Sequence, residues 1–126
     1  MNRHQIREKV MIATYQYLLI KNDMEEIIYD VFETKDLTVI DSYFATVINN
    51  ITANKDDYIT YINSVVDNYK FDRLGYIEQA ILLTACGEFS AKELSASIII
   101  DEAINLAKNY CDEEAYKLIN VILERI

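Results

Sequence analysis

The residues able to carry chemistry are few in this sequence, and they do not form a catalytic pattern. His4 is the only histidine, and Cys86 and Cys111 do not have the spacing of a metal-binding pair. The remaining candidates are three adjacent carboxylate pairs, Glu25–Glu26, Asp56–Asp57 and Glu113–Glu114. Each pair falls at an expected helix start, where the helix dipole favours acidic side chains. The sequence therefore predicts a protein that is not an enzyme, with no catalytic residue, no metal site and no cofactor.

A second set of side chains has the chemistry to bind an anion. The first 21 residues contain four cationic side chains and one acidic one, Glu8, which gives this segment a net charge of +3. The rest of the chain contains eight cationic and twenty acidic side chains, which gives −12. A basic end on an acidic chain is where an anionic partner is expected to bind.

The helical repeat groups these N-terminal residues. Arg3, Arg7 and Thr14 fall on one side of the first helix, and His4 and Tyr15 lie beside them. A solvent-exposed face is the simpler interpretation of this side. The alternative is a binding surface, in which the arginines hold phosphates and the rings stack on bases.

The elements that position these residues are predicted to be helices. The chain has no proline and only two glycines, residues that all-β folds need at their turns. The stretch Leu74–Phe89, LGYIEQAILLTACGEF, is apolar around most of a helical circumference and is too short to span a membrane. We expect it to be the most buried helix, flanked by the sixth and seventh helices.

Glu88 lies on the apolar face of this central stretch. One interpretation is that the helix end is exposed and the carboxylate reaches water. The other is a buried carboxylate that is hydrogen-bonded to Arg73, to a helix N-terminus or to a residue of the first helix, because an unpaired buried charge is too costly.

Apolar periodicity and capping residues predict seven helices in one domain spanning residues 1–126. Their approximate ranges are 3–20, 24–32, 38–53, 57–68, 74–89, 98–110 and 115–126, with a polar turn at Asn54–Asp57. No secretory signal follows the basic N-terminus, and disulfide use is not expected, so the sequence predicts a cytoplasmic protein with no membrane contact. It leaves open whether the protein is a monomer or a homodimer.

Several segments carry a resemblance to a known family. They are DRLGYIEQAILLTACGEF at 72–89, IIIDEAINLAKNY at 98–110, KLINVIL at 117–123 and the N-terminal IREKVMIATYQYL. In this order they resemble the NusB family of bacterial transcription antitermination factors, over nearly the whole chain. The most specific part is IDEAINLAK followed by Lys117–Leu123, which is similar to the family's INEA-ELAK and KFVNGVLD.

The resemblance implies a single all-α RNA-binding domain, in which a three-helix N-terminal part packs on a four-helix C-terminal part. It also implies a function in transcription antitermination. The expected partners are boxA-type RNA of ribosomal RNA transcripts, the ribosomal protein NusE, other Nus factors and RNA polymerase.

The resemblance also assigns site residues. Those expected to contact RNA are Arg3, His4, Arg7, Lys9 and Tyr15, and those expected to contact NusE are Tyr15, Glu78, Glu114 and Leu118. The N-terminal basic run is thinner than is usual in the family, which favours an alternative: a NusB-like protein–protein adaptor with weak or lost RNA binding. A third interpretation, the RNA-binding domain of a ribosomal RNA cytosine methyltransferase, is disfavoured because no catalytic domain follows the last helix.

Overall fold

The computed structural model describes residues 1–66 and 70–126, and its regular elements there are all helical. The α-helices are α1 (Arg3–Ile20), α2 (Met24–Phe32), α3 (Ser42–Val65), α4 (Tyr76–Ala91), α5 (Ala96–Tyr110) and α6 (Glu113–Arg125). Two short 3-10 helices, Leu37–Val39 and Phe71–Arg73, precede α3 and α4. The predicted all-α class is confirmed.

The helix starts follow from short polar side chains next to them in the sequence. The residues Asn2, Asp23, Asp41, Ser95 and Asp112 each precede a helix and accept a hydrogen bond from a backbone N–H of its first turn. Three helices end differently. Lys21, Glu33 and Lys92 close α1, α2 and α4 in the left-handed backbone conformation, with φ of 59°, 60° and 56°.

The central position of α4 confirms the expectation for residues 74–89. All residues from Gln79 to Glu88 are buried, so this helix is enclosed over nearly three turns. Its neighbours differ from the prediction. α4 packs mainly against α1 and α3, then against α5, and only slightly against α6.

The predicted turn at Asn54–Asp57 is wrong, because α3 continues through it. No glycine or proline interrupts the helix here, and the Asn54 amide donates to the Asn50 carbonyl at 3.1 Å. The second half of α3 is also held by packing: Ile62 is fully buried, and the Tyr58 hydroxyl donates to Ser90 Oγ on α4 at 2.7 Å. The third and fourth predicted helices are therefore one, and six α-helices rather than seven occur in the described ranges. The predicted end of the fourth helix near Asn68 lies outside the described residues.

The closest approach of α3 and α4 occurs at Gly87. A Cβ atom there would lie 3.0 Å from the Val47 and Ile51 side chains and 3.0 Å from the Val47 carbonyl oxygen. The Asn50 amide donates to the Gly87 carbonyl at 3.0 Å. The missing side chain thus lets two backbones meet directly beneath Glu88.

Candidate nucleic-acid and partner interfaces

A buried ion pair joins the first turns of α1 to the end of α4. Arg7 Nε lies 3.1 and 3.0 Å from the two Glu88 oxygens, and Nη2 lies 2.8 Å from Oε1. The Tyr43 hydroxyl donates to the same Oε1 at 2.9 Å, which ties α3 into the pair. Arg7 is 3% exposed and Glu88 2%. The prediction of a buried, hydrogen-bonded Glu88 with a first-helix partner is confirmed.

The charges in this pair shift the pKa of its neighbours. Burial lowers the pKa of Arg7, but its hydrogen bond to Glu88 and the charges of Glu88 and Glu102 outweigh that effect and raise it overall. Burial and the Glu88 carboxylate raise the pKa of Tyr43 well above its ordinary value. Arg7 therefore stays charged and Tyr43 stays a hydrogen-bond donor at any physiological pH.

The position of Arg7 contradicts the prediction that it contacts RNA phosphates. Its guanidinium is enclosed, makes a bidentate bond to Glu88 and lies 5.2 Å from the centre of the Phe44 ring. The expectation of a solvent-exposed face is also wrong, because Arg7, Met11 and Thr14 are buried along it. The reason is that α1 packs against both α2 and α4 and so buries two adjacent stripes.

Arg3 and His4 remain at the surface, but each lies against a carboxylate. Arg3 Nε is 3.2 Å from Asp41 Oδ2, and the guanidinium lies 4.9 Å from the centre of the Tyr43 ring. His4 Nδ1 is 3.3 Å from Glu102 Oε2, an oxygen that also lies 3.4 Å from Arg7 Nη1. Both side chains are about half exposed, at 50% and 47%.

The same cluster has almost no excess positive charge. Arg3 and Arg7 face the three carboxylates Asp41, Glu88 and Glu102, a net charge of −1 while His4 is neutral. We call these residues, with Tyr43, the ionic cluster. Sequence reasoning missed Asp41 and Glu102, because their partners lie 38 and 98 positions away along the chain.

Lys9 lies outside this cluster. Its side chain is partly buried, and its ammonium group is 5.9 Å from the centre of the Phe32 ring on α2. It faces a different neighbour from Arg3 and His4, so the structure does not gather the predicted basic residues into one patch.

Two contacts fix the direction of α1 relative to α5. His4 pairs with Glu102, and Glu8 hydrogen-bonds Tyr110, so the two helices run the same way. α4 is joined to α5 by a short link and runs against both. With Arg7 opposite Glu88, the residues that follow Arg7 on α1 lie beside those that precede Glu88 on α4.

This register brings the predicted partner residues Tyr15 and Glu78 to the same end of the molecule. Tyr15 lies about 12 Å along α1 beyond Arg7, and Glu78 about 15 Å along α4 before Glu88, at the usual helical rise. Glu78 accepts a hydrogen bond from the Gly75 N–H at 2.7 Å. Burial, with the charges of Glu78 and Asp112, raises the pKa of Cys111 to about 11, so Glu78 also lies near the start of α6.

The other two predicted partner residues lie one turn apart on α6. Glu114 is exposed and Leu118 half-buried, and Val121 continues the same face with 44% of its surface exposed. We call Tyr15, Glu78, Glu114 and Leu118 the open end. Unlike the ionic cluster, it has no ion pair among its four members in the ranges that the structure describes.

Two further searches describe the chain. Within residues 1–66 and 70–126, no group of histidine, cysteine, aspartate and glutamate side chains is arranged to hold a metal ion. Over the same ranges no helix combines the length and hydropathy needed to cross a bilayer.

The buried ion pair joins helices, and the surface residues flank it at two ends of an all-helical scaffold. These features define a helical protein that works by binding. A model of the NusB family matches residues 4–126, and the chain belongs to that family. The family is one of transcription factors rather than enzymes.

Two relatives illustrate the similarity. Transcription antitermination protein NusB of Neisseria gonorrhoeae (strain NCCP11945) is 34% identical over 126 residues, which cover 98% of this chain and 89% of the relative. The protein of the same name from Exiguobacterium sp. (strain ATCC BAA-1283 / AT1b) is 30% identical over 127 residues, covering 100% and 97%.

Solved structures show the same fold. T. maritima NusB superposes with a TM-score of 0.87 at 27% identity, over 99% of this chain and 89% of that one. A chain in the crystal structure of antitermination factors NusB and NusE in complex with dsRNA has a TM-score of 0.82 at 24% identity, over 98% and 96%. At that identity, the second likeness concerns the fold alone.

Proposed function

We propose that this chain is a transcription antitermination factor that binds boxA-type RNA together with NusE, within a Nus complex on RNA polymerase. The observation that carries the proposal is the family match over residues 4–126. It is supported by the names of the relatives and by the complex of NusB, NusE and dsRNA, one of whose chains shares this fold. The chain would act in the cytoplasm as a single RNA-binding domain. The division into three and four helices would then hold with α3 shared between the two parts.

We assign the RNA-binding role to exposed or partly exposed residues of α1. Arg3 and His4 would meet phosphates, Lys9 would add a contact from its neighbouring face, and Tyr15 would stack on a base. Arg7 is excluded from direct contact by its burial and holds α1 in place instead. The open end, with Tyr15, Glu78, Glu114 and Leu118, would bind NusE.

The experiment is a fluorescence anisotropy titration of labelled boxA RNA, with and without NusE, over a series of salt concentrations. Wild type is compared with Arg3→Ala, Lys9→Ala and the control Lys117→Ala, which changes an exposed lysine on α6 paired only with Glu113. Each lost phosphate contact lowers the slope of log affinity against log salt by about 0.7 for a single strand. Equal, salt-independent signals from all four proteins would contradict RNA binding by this face.

One observation favours a second candidate, a NusB-like adaptor that has kept partner binding and lost most RNA affinity. The cations at the start of α1 are balanced by carboxylates, so the attraction for a polyanion is small. The adaptor predicts that NusE binds with unchanged affinity whether or not RNA is added, and that Arg3→Ala has no effect on either measurement.

A further inference from the structure

We propose that Asp41 and Glu102 set the anion affinity of the N-terminal surface by occupying its exposed cations. This inference deepens the proposed function, since it concerns the same RNA-binding face. A phosphate can reach Arg3 and His4 only by taking the place of a carboxylate that already lies against each of them. The two acids therefore act as internal competitors of the RNA.

The geometry separates the exchangeable contacts from the permanent one. Arg7 and Glu88 are 4% and 2% exposed along their side chains, so no solvent-borne phosphate can replace that carboxylate. The Arg3 side chain is 50% exposed against an Asp41 that is 12% exposed, and His4 is 47% exposed against Glu102 at 29%. These two pairs are long, at 3.2 and 3.3 Å, and open to water on the cationic side. Exposed pairs of this kind are weak and yield to a competing anion.

The cation can leave its carboxylate without unfolding the protein. Arg3 also lies over the Tyr43 ring, so its guanidinium keeps a contact when Asp41 is replaced by phosphate. Asp41 has a second role, since its other oxygen accepts from the Phe44 N–H at the start of α3. Glu102 has Arg7 as a second neighbour, and Arg7 remains neutralised by Glu88 without it. Both acids therefore stay in place structurally while the cations change partner.

Removal of charge without loss of shape tests the inference. Asp41→Asn keeps the helix cap, because asparagine caps as well as aspartate, and Glu102→Gln keeps the size of the side chain. The matched controls are Asp36→Asn, another capping acid, and Asp101→Asn, the exposed neighbour of Glu102. Neither control residue forms an ion pair within the described part of the chain. All four variants lower the negative charge by one, so general electrostatics affects them alike.

Two probes are used on the full-length protein. The first is heparin, a polyanion whose retention reports on free cations whatever the natural RNA. The double variant Asp41→Asn/Glu102→Gln is expected to elute from heparin at higher salt than the double control. The second is boxA RNA with NusE, for which we expect affinity to rise about three- to tenfold and the salt slope to steepen by about one contact per freed cation. Circular dichroism checks that all variants remain folded.

The outcomes distinguish the inference from the proposed function. Tighter heparin binding by the double variant without any boxA binding supports the inference and overturns the RNA assignment. Wild-type boxA binding with no difference between the double variant and the double control overturns the inference and leaves the assignment intact. Adding Arg3→Ala to the double variant is expected to abolish most of the gain, and retention of the gain would also overturn the inference.

Discussion

The two ends of α1 engage the rest of the chain in opposite ways. At the ionic cluster, cations and carboxylates from α1, α3, α4 and α5 neutralise one another, and the central pair is buried. At the open end, an aromatic ring, a leucine and two carboxylates are left half-buried or exposed. The difference teaches that net charge along the sequence and charge available at the surface are separate quantities: the segment with the most cations offers few of them to a partner.

The largest effect is expected from breaking the buried pair. Arg7→Met leaves the Glu88 carboxylate buried with only Tyr43 as a partner, and we expect it to lower the free energy of unfolding by about 3–5 kcal/mol. Combining Arg7→Met with Glu88→Leu removes both charges and should recover most of the loss. Urea denaturation measures both variants. A single variant as stable as wild type would show that the ionic cluster does not hold the helices together.

A smaller effect is expected from the two glycines, one near each end. Gly87→Ala puts a methyl group 3.0 Å from the Val47 backbone oxygen, which cannot move aside cheaply, so we expect a loss of about 1–3 kcal/mol. Gly75→Ala, the matched control, meets only the flexible Glu78 carboxylate, at 3.3 Å. Thermal melting of both proteins checks the contrast, and equal melting temperatures would refute the close packing of α3 on α4.

The open end should respond in binding rather than in stability. Leu118→Ala removes a half-buried side chain from the proposed NusE face, and we expect NusE affinity to fall by about 1–2 kcal/mol with little change in melting. Val39→Ala is the control, because Val39 is 78% exposed on the 3-10 helix before α3. Isothermal titration calorimetry gives both affinities. A Leu118→Ala protein that binds NusE as wild type does would remove Leu118 from the interface.

The smallest effect concerns pH. Burial with the Glu88 charge raises the pKa of Tyr43, and burial raises the pKa of Cys86 to about 12, from ordinary values of 10.0 and 9.0. Below pH 9 both groups are protonated in the folded and unfolded chain, so their contribution is complete. Above those values the unfolded chain ionises first, and stability falls by about 1 kcal/mol per pH unit for each group.

Tyr43→Phe should reduce this alkaline loss, whereas Tyr61→Phe, at an exposed position, should not. Urea unfolding at pH 8, 10 and 11 provides the measurement. The same pH dependence in wild type and Tyr43→Phe would show that the hydroxyl is not enclosed by the ionic cluster.

The part of this fold that sequence reasoning predicts is the part determined by neighbours along the chain. Asp23 and Asp112 mark helix starts by capping chemistry, and the apolar residues around Leu82 mark a buried helix without reference to any partner. Even the burial of Glu88 follows from its place on an apolar face. The resemblance to the NusB family supplies the rest of the expected function, and the family match confirms that resemblance.

The errors occur where a distant contact decides the outcome. The polar run Asn54–Asp57 is typical of a turn, but packing of Ile62 and the hydrogen bond from Tyr58 to α4 keep it helical. Arg7 is typical of a phosphate contact, but the carboxylate that claims it lies 81 positions further on. No local pattern distinguishes a cation paired across the fold from one left at the surface. The roles assigned to Arg3, His4, Lys9 and the open end stay predictions.

The helix ends at Lys21, Glu33 and Lys92 bear on how far this sequence lies from its most stable form. Left-handed backbone costs a residue with a side chain roughly 1–2 kcal/mol, and glycine adopts it almost freely. Three single changes to glycine would therefore each relieve local strain, partly offset by the greater freedom of glycine in the unfolded chain. None of the three belongs to the ionic cluster or the open end, so stability could be raised at these loops while both binding surfaces stay as they are.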